Sequence, residues 1–484
     1  MNLRLVLNII SRILVFFSVV LLIPLAWGLG DNPGSPEVYS FIYTIIISLI
    51  ISLVFRLISR SSVQHIDTLK TKDGLSVVGL TWIILSLLGA LPFYLSHAIP
   101  SFTDAYFETV SGFTTTGASI LTDIESMSRE LLFWRSMTHW LGGMGLIVLY
   151  LAILPFLGSN AYQLYKAEAP GLTAEKIQPR MKETAKVLWA VYFLFTLAET
   201  VLLMAGGMTL FDALCHTFGT LATGGFSTRN ASIGAFSPYI QWIIILFMLL
   251  SGINFMLHFS ALKGNIKAYF KNEEFRYFIG IIILTSLCFT IILTRNSTLE
   301  SPFRHAVFQV VSIMTTTGFV TTDFDIWPYA LRYTLILLMF IGASGGSTGG
   351  GMKVVRVISS IKIVFSHIHR AIYPNAVIPV RFNKKPLSSN LVTAVVVYFM
   401  IYILLFTFGT LLMTMTERCD LVTAFSASVA SLSNIGPGLG KVGATQNYQW
   451  ISIPGKWILS FLMLAGRLEL YSILILFIPA TWKK

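Results

Sequence analysis

Four short stretches of the chain combine glycine with threonine, serine or asparagine between strongly apolar segments. Their sequences are SGFTTTGAS at 111–119, TGGFST at 223–228, TTTGF at 315–319 and SNIGPGLG at 433–440. Exposed backbone carbonyls in such loops can replace the hydration shell of a cation. Glycine supplies the unusual backbone angles that turn carbonyls toward one axis. These residue types therefore predict cation coordination by backbone oxygen.

The four stretches share one register. Counting back 12 residues from the glycines lands on an alanine in each case: Ala105 for Gly117, Ala213 for Gly225, Ala306 for Gly318 and Ala424 for Gly436. The helical pattern before each loop covers about 10 to 12 residues, roughly 15 to 18 Å, which is too short to cross ~30 Å of hydrocarbon. Such a segment must enter the membrane from outside and return, with its backbone buried in protein or lining water. Chance resemblance among four ordinary loops is the alternative, and the common register favours a four-fold pseudosymmetric pore.

The composition indicates an integral membrane protein that is all-α. Of 484 residues, 55% are hydrophobic and 12% are charged, against about 25% charged in soluble domains. Ten spanning helices are predicted, at 3–30, 37–57, 74–98, 131–157, 185–206, 238–262, 275–294, 328–364, 389–415 and 450–480. The first is interpreted as a retained helix rather than a signal peptide.

The net charge of +12 follows the positive-inside rule rather than a nucleic-acid-binding pattern. With both termini in the cytoplasm, most Lys and Arg fall on the cytoplasmic side. They lie near the N-terminus, in 56–72, 166–186, 263–276 and 353–385, and at the C-terminus. Cys215, Cys288 and Cys419 are scattered and odd in number, so they form neither a disulfide framework nor a metal-ligand spacing.

The loop sequences resemble the filter loops of the Trk/Ktr/HKT superfamily of potassium transporters. YKAEAPG, ETAKVLW, GGSTGGGMKVVR and GRLELY resemble further signatures of the Trk-type membrane subunit. Two helices before the first repeat also fit the Trk type. The resemblance implies a potassium-permeable pore within one chain, a homodimer with two separate pores, and a bacterial cytoplasmic (inner) membrane location. It also implies a K⁺ channel-like arrangement of four helix–re-entrant helix–loop–helix units.

The resemblance assigns the K⁺ filter to twelve residues. They are Thr115, Thr116, Gly117, Thr223, Gly224, Gly225, Thr316, Thr317, Gly318, Asn434, Ile435 and Gly436. In plant members that favour sodium, serine replaces the glycine of the first loop, so Gly117 indicates potassium. The fourth loop departs from the others, with Asn-Ile in place of Thr-Thr.

The predicted eighth helix is interrupted by the glycine-rich stretch GASGGSTGGGMK at 342–353. A nucleotide-binding P-loop is excluded, because Met352 stands where lysine is required and no strand precedes it. A helix-packing glycine patch is one alternative. The other, supported by the resemblance, is an intramembrane gate below the filter, made of Gly345, Gly346, Ser347, Thr348, Gly349, Gly350 and Gly351.

Arg467 is the one basic residue deep within a predicted span. An arginine at mid-membrane costs at least ~2.5 kcal/mol, so a function is expected. The alternatives are a structural salt bridge to another helix and a positive charge facing the cavity below the filter. Glu469 is two residues further on and faces elsewhere, so a pair between the two is not expected.

Polar residues of the first two short segments have several interpretations. Asp104 and Asp212 are predicted to be helix N-caps, with an external negative potential that concentrates cations as the alternative. Glu108 is expected to stabilise either the ion or the loop. His139 and His216 are interpreted as packing residues rather than ligands.

The basic stretch 159–186 is predicted to lie on the membrane surface. Its basic residues are Lys166, Lys176, Arg180, Lys182 and Lys186. With 353–385 it also offers a cytoplasmic face for a partner, and the resemblance implies a cytosolic ring of Rossmann-type (TrkA-like) regulatory subunits. No Rossmann fingerprint, in which an acid follows G-x-G-x-x-G by about 20 residues, is present, so NAD(H), ATP or ADP is expected on the partner.

Potassium uptake through a gated pore is the leading prediction. A symporter coupling K⁺ to H⁺ or Na⁺ is the alternative, although coupled carriers usually carry acidic or histidine relays in their spans. An enzyme is not expected, because no H-E-x-x-H motif and no paired intramembrane carboxylates are found in the sequence. The predicted domains are 1–70 (two extra helices), 71–182, 183–272, 273–386 and 387–484 (pore repeats one to four), the third of which carries the gate loop.

Overall fold

The fold is helical throughout the part of the chain that can be described. A computed structural model describes residues 1–59, 71–145, 181–296 and 299–482. These residues form α-helices joined by loops, with one short antiparallel hairpin between late helices. The all-α prediction is confirmed.

The chain begins with three helices that pack together. These are α1 (Leu3–Val20), α2 (Leu22–Asp31) and α3 (Pro36–Ser59). The hydroxyl of Ser52 in α3 donates to the carbonyl oxygen of Ser11 in α1 over 2.6 Å. This satisfies a buried hydroxyl without water, as a lipid environment requires.

The helices that follow differ widely in length. The next nine are α4 (Thr71–Gly89), α5 (Leu91–Leu95), α6 (Phe102–Phe113), α7 (Arg129–Gly143), α8 (Met181–Ala205), α9 (Leu210–Leu221), α10 (Pro238–Gly252), α11 (Phe255–Leu262) and α12 (Lys267–Lys271). The remainder are α13 (Glu273–Asn296), α14 (Pro302–Met314), α15 (Tyr329–Ile341), α16 (Val354–Ile372), α17 (Ser389–Thr416), α18 (Leu421–Leu432), α19 (Ile453–Arg467), α20 (Tyr471–Leu474) and α21 (Pro479–Trp482). Strands β1 (Arg381–Phe382) and β2 (Lys385–Pro386) form the hairpin, and 3₁₀ turns occur at Ser232–Ala235, Gly440–Val442 and Ile475–Phe477.

Several of these helices are long and apolar enough to cross a bilayer. Within the described residues there are six such segments: Leu3–Asp31, Pro36–Ser59, Lys72–Leu95, Lys186–Ala205, Glu273–Asn296 and Ser389–Thr416. The pair α10 and α11 makes a seventh if it is counted as one broken span. A multi-pass membrane protein is therefore confirmed.

Two of the ten predicted spans, 238–262 and 450–480, are wrong within the described residues, and a third, 328–364, is interrupted as predicted. Span 238–262 bends by 101° between α10 and α11, where the Asn254 side chain caps the new helix by accepting from the Met256 amide over 2.9 Å. Span 328–364 is divided by the loop 342–353, as its glycines suggested. Span 450–480 ends at Arg467, because Glu469 and Leu470 adopt left-handed backbone angles. Span 131–157 is helical to Gly143, and 146–157 lies outside the described residues.

Four short helices occur where the sequence predicts them. Helices α6, α9 and α18 have 12 residues each and α14 has 13, or roughly 18 to 20 Å at 1.5 Å per residue. Their C-terminal halves are almost entirely buried against other helices. Each ends at one of the four glycine-containing loops, so the fold brings those loops into the interior of the protein.

Candidate functional site

The four loops have the same backbone conformation. One residue in each loop that is not glycine has a positive φ: Thr115 at 51°, Thr223 at 54°, Thr316 at 61° and Asn434 at 56°. Two residues later, Gly117, Gly225, Gly318 and Gly436 have φ of 80°, 84°, 81° and 93°. Left-handed threonine is uncommon, so three threonines at one register, with Asn434 at the fourth position, indicate a backbone shape held by its surroundings.

The loops contact each other in a closed cycle. A Cβ added to Gly117 would collide with the carbonyl oxygen of Gly224 in the second loop, and one on Gly225 with that of Thr317 in the third. A Cβ on Gly318 would meet the carbonyl oxygen of Ile435 in the fourth loop, and one on Gly436 that of Thr116 in the first. The order is first, second, third, fourth and back to first. Each glycine is needed for space as well as for its angle.

A cavity lies against this cycle of loops. The cavity has a volume of about 160 Å³ and is lined by all four glycines. Residues of the segments that follow the loops complete the lining, among them Arg229, Asn230 and Tyr448. The sequence alone gave no indication that the segment around Tyr448 returns to this cavity.

Side-chain oxygens inside the loops are used to hold the loops together. The hydroxyls of Thr114 and Thr116 lie 2.8 Å apart, and those of Thr315 and Thr317 also lie 2.8 Å apart. In the fourth loop, the Asn434 amide donates to the Thr116 hydroxyl over 3.0 Å and to the Met463 carbonyl over 2.9 Å. The asparagine that departs from the threonine pattern therefore links the fourth loop to the first loop and to α19.

A buried ion pair lies behind the first two loops. Arg135 Nε is 2.6 Å from Glu108 Oε1, and both side chains are at most 2% exposed. Glu108 also accepts from the Ser119 hydroxyl and the Ile120 amide, each over 2.9 Å, in the first loop segment. Arg135 donates to the Ser227 carbonyl over 3.0 Å in the second. Of the two roles considered for Glu108, these contacts are those of a residue that stabilises the loop.

The N-cap prediction for Asp104 and Asp212 is wrong by three residues. Ser101 and Thr209 are the N-caps, and their hydroxyls accept from the backbone amides of Asp104 and Asp212. In a capping box, the N-cap hydroxyl binds the backbone amide of the third helical residue, which is often acidic. Asp104 instead pairs with Lys456 at 2.6 Å. Asp212 accepts from the Thr228 hydroxyl over 2.7 Å.

The two buried histidines have hydrogen-bond partners, as a packing role requires. His139 lies 3.0 Å from the Gly112 carbonyl and 3.3 Å from the Phe226 amide. His216 lies 2.9 Å from the Ser227 hydroxyl and 2.7 Å from the Asp212 carbonyl. Both therefore brace the end of a short helix or the loop that follows it.

The glycine-rich segment 342–353, named here the Gly-rich loop, lies against three of the four loops. The Thr348 hydroxyl donates to the Leu221 carbonyl at the end of α9 over 2.8 Å. The Gly350 amide donates to the Thr316 hydroxyl over 2.6 Å, and the Gly351 amide to the Ser433 carbonyl over 3.0 Å. The predicted gate residues are thus in direct contact with the second, third and fourth predicted filter segments.

Two residues that the sequence analysis did not single out hold the ends of the Gly-rich loop. Asn254, at the bend between α10 and α11, donates to the Gly345 carbonyl over 2.7 Å. Glu274 Oε1 accepts from the amides of Gly345 and Val355, over 2.7 and 3.1 Å, on either side of the loop. An acidic residue at the start of an apolar span was the available signal for Glu274.

Arg467 is the last residue of α19 and donates to three backbone carbonyls. Its Nη1 reaches Thr348 over 2.6 Å, and its Nη2 reaches Gly142 over 2.6 Å and Gly143 over 3.1 Å. The guanidinium therefore connects the Gly-rich loop to the C-terminus of α7. Glu469 pairs with Arg356 at 2.5 Å, so the two neighbouring charges serve different contacts.

Part of the predicted cytoplasmic face lies outside the described residues. This applies to 60–70, to 146–180 with Lys166, Lys176 and Arg180, to the YKAEAPG sequence and to 483–484. Lys186 is exposed near the start of α8. The basic segment 353–385 is described and includes the end of the Gly-rich loop, α16 and the hairpin.

Comparison with known proteins gives matches over nearly the whole chain. The family described as "TrkH: Cation transport protein" matches residues 42–484. The Trk system potassium uptake protein TrkH of Halomonas elongata is 41% identical, with 100% of both chains covered. The Escherichia coli K12 protein of the same name is 44% identical over 423 residues, covering 86% of this chain and 87% of that one.

A solved structure agrees with the fold described above. The crystal structure of the potassium transporter TrkH from Vibrio parahaemolyticus superposes with a TM-score of 0.88 at 38% identity, and covers 100% of both chains. The sequence match and the structural match to these relatives therefore both include the residues that form the four loops and the Gly-rich loop. The chain belongs to the TrkH family of cation transport proteins.

Proposed function

We propose that this protein takes up potassium across the bacterial cytoplasmic membrane through a pore formed within one chain. The closed cycle of four glycine-turned loops around one cavity is the observation that carries the proposal. The relatives named above are potassium uptake proteins, which supports potassium as the cargo. Each loop follows the C-terminus of a short helix, which carries about half a negative charge and favours a cation at the loops.

The selectivity filter consists of the twelve predicted residues. In each loop, backbone carbonyls replace water around the ion, and the glycine turns the chain. The filter residues are Thr115, Thr116, Gly117, Thr223, Gly224, Gly225, Thr316, Thr317, Gly318, Asn434, Ile435 and Gly436. Contacts such as Asn434 to Thr116 and Arg135 to Glu108 keep the carbonyls from collapsing around a smaller ion.

The Gly-rich loop is the gate, with Arg467 as its latch. Its residues Gly345, Gly346, Ser347, Thr348, Gly349, Gly350 and Gly351 contact the filter segments on one side, and Arg467 holds Thr348. A loop rich in glycine can leave this position by backbone rotation at low steric cost. The positive charge of Arg467 also opposes cation passage while the loop is in place.

The four short helices are re-entrant pore helices. Each has 12 or 13 residues, so none reaches across ~30 Å of hydrocarbon. The proposed organisation is two extra N-terminal helices (1–70) and four pore repeats at 71–182, 183–272, 273–386 and 387–484. The Lys and Arg distribution supports N- and C-termini in the cytoplasm.

The assembly is a homodimer with a cytosolic regulatory ring. The membership of relatives in a Trk system supports partner subunits. The ring subunits are Rossmann-type and TrkA-like, and they carry the NAD(H), ATP or ADP that controls the gate. The basic segment 353–385, which begins at the Gly-rich loop, is suited to carry a movement of the ring to the gate.

A K⁺/H⁺ or K⁺/Na⁺ symporter is the second candidate, favoured by one residue. Glu199 is fully buried in α8, a predicted span. Buried carboxyls in spans serve as proton or ion relays in coupled carriers. A channel-like pore remains the proposal, because passage of a cation through the cycle of four loops requires no proton or ion relay.

The test is Rb⁺ uptake into liposomes containing the purified protein, with no imposed gradient of H⁺ or Na⁺. Uptake driven by the Rb⁺ gradient alone, absent from protein-free liposomes, is the expected result. A requirement for a proton or sodium gradient would replace the pore with the symporter. In that case Glu199→Gln should remove the proton dependence, whereas it should leave Rb⁺ uptake unchanged in a pore.

A further inference from the structure

Tyr448 joins the fourth loop to the first. Its hydroxyl donates to the carbonyl oxygen of Gly436 over 2.6 Å, and its backbone amide donates to the Ser119 carbonyl over 2.8 Å. The side chain is 2% exposed, and its ring packs on Phe107 of α6 with centroids 5.7 Å apart. Every part of this residue therefore has a fixed contact at the junction of two loops.

This contact makes the fourth loop different from the other three. Gly117, Gly225 and Gly318 occupy the equivalent positions, and across the described ranges their carbonyl oxygens accept no hydrogen bond. Among the residues that the structure describes, only the carbonyl of Gly436, of these four, accepts a hydrogen bond from a side chain. It lies in the loop that also departs from the pattern in sequence, with Asn434 and Ile435.

Tyr448 also belongs to a continuous series of polar contacts. The series runs from Arg135 to Glu108, from Glu108 to the Ser119 hydroxyl, and from the Ser119 carbonyl through Tyr448 to Gly436. The buried ion pair behind the first loop is therefore connected to the glycine of the fourth. A displacement of the Gly436 carbonyl must break or stretch this series.

We propose that Tyr448 is a specificity-determining positioning residue, which holds the Gly436 carbonyl at the distance that suits potassium. The inference rests on the proposed function of the four loops as a potassium filter. A site must be held within about 0.5 Å to keep its preference, and the fourth loop lacks the paired threonine hydroxyls found in the first and third. The tyrosine hydroxyl supplies the missing constraint from the outer side.

The test compares two tyrosine-to-phenylalanine variants in reconstituted bilayers. Tyr448→Phe removes the hydroxyl and keeps the ring on Phe107. Tyr106→Phe is the matched control: Tyr106 is also buried, and its ring stacks on Trp457 with centroids 4.7 Å apart. The K⁺/Na⁺ permeability ratio of Y448F should fall roughly three- to ten-fold, the range that corresponds to one hydrogen bond, and that of Y106F should stay at the wild-type value.

Each other outcome overturns the inference. An unchanged or raised ratio in Y448F would mean that the residue only fills space. If Y448F failed to fold while Y106F folded, the hydroxyl would be a general structural requirement rather than a filter constraint. If wild-type protein did not distinguish K⁺ from Na⁺, the proposed potassium filter itself would be refuted. If wild-type protein and Y448F were equally selective for K⁺, only the role inferred for Tyr448 would be refuted.

Discussion

Arg467 donates from Nη1 to the carbonyl oxygen of Thr348 over 2.6 Å, and Thr348 in turn donates its hydroxyl to the Leu221 carbonyl over 2.8 Å. Thr348 thus sits between an arginine at the end of α19 and the end of the second short helix. Arg467 is itself anchored by its hydrogen bonds to the carbonyls of Gly142 and Gly143. The Gly-rich loop is therefore held by Arg467 on one side and by the Leu221 carbonyl on the other. Opening the proposed gate requires these contacts to break.

Arg467→Ala should increase ion flux in the absence of regulatory subunits. The change removes three donated hydrogen bonds and one positive charge, and each charge-assisted bond is worth about 1.5–3 kcal/mol. Basal Rb⁺ flux should therefore rise by about tenfold or more, measured in liposomes at equal protein content. Arg467→Lys keeps the charge without the planar fork and should show a smaller rise. Unaltered or lowered flux in R467A would remove this residue as a latch.

Glu274→Ala should loosen the base of the Gly-rich loop. Glu274 Oε1 accepts from the amides of Gly345 and Val355, so its removal leaves two buried donors unsatisfied. Hydrogen exchange of these two amides, followed by mass spectrometry of peptides covering 342–356, should become roughly tenfold faster. Glu274→Gln keeps the acceptor oxygen and should exchange more slowly than E274A.

The neighbouring Glu273 provides the control for this experiment. Glu273 pairs with Lys362 and accepts from the Asn383 amide over 2.8 Å, away from the Gly-rich loop. Glu273→Ala should leave exchange in 342–356 at the wild-type rate. Equal exchange in E274A and wild-type protein would show that Glu274 does not hold the loop.

Glu108→Gln should destabilise the protein through the ion pair behind the first two loops. Arg135 would keep its charge in a site where it is 2% exposed, and breaking a buried pair costs about 3–5 kcal/mol. Asp31→Asn is the control, because its pair with Arg129 is exposed and worth less than about 1 kcal/mol. Thermal unfolding in detergent should give a clearly lower Tm for E108Q than for D31N. Similar values for the two would contradict the role assigned to Glu108.

Gly117→Ser should reduce the preference for potassium over sodium. Gly117 has φ of 80°, and a side chain there would collide with the Gly224 carbonyl of the next loop. Left-handed backbone costs roughly 1–2 kcal/mol for other residues, so a change of about tenfold in the permeability ratio is expected. Gly207→Ser is the control: Gly207 also has a positive φ, and a Cβ there has open space around it. An unchanged ratio in G117S would refute the assignment of the first loop.

The sequence predicts the short helices and their loops well because their signals are local. Each has an apolar helical stretch of limited length, followed at a fixed interval by glycine preceded by threonine in three loops and by asparagine in the fourth. The interruption at 342–353 is also local, since five glycines between Gly345 and Gly351 cannot continue a helix. The order of the loops around the cavity, in contrast, depends on contacts between residues far apart in the chain, such as Asn434 and Thr116.

The helix boundaries that sequence reasoning missed lie beside single glycines, Gly252 and Gly466, and a single glycine lowers helix stability by only about 1 kcal/mol. The bend at Asn254 is capped by a single asparagine side chain, and Glu469 and Leu470 adopt positive φ although both residue types usually continue a helix. These conformations are held by tertiary contacts, including the Glu469–Arg356 pair. The N-cap prediction at Asp104 and Asp212 failed for a different reason. Aspartate is favoured both at N-caps and in the first turn of a helix, so the residue type does not separate the two positions.

The reversal potential of the reconstituted wild-type protein under opposed K⁺ and Na⁺ solutions tests the central claim most directly. The measurement gives the permeability ratio without assuming a gate position or a partner subunit. The proposed filter, in which four loops present backbone carbonyls to one cavity, predicts a reversal potential displaced toward the potassium equilibrium potential. A reversal potential near zero, or one that moves with the proton gradient, would contradict a potassium-selective pore.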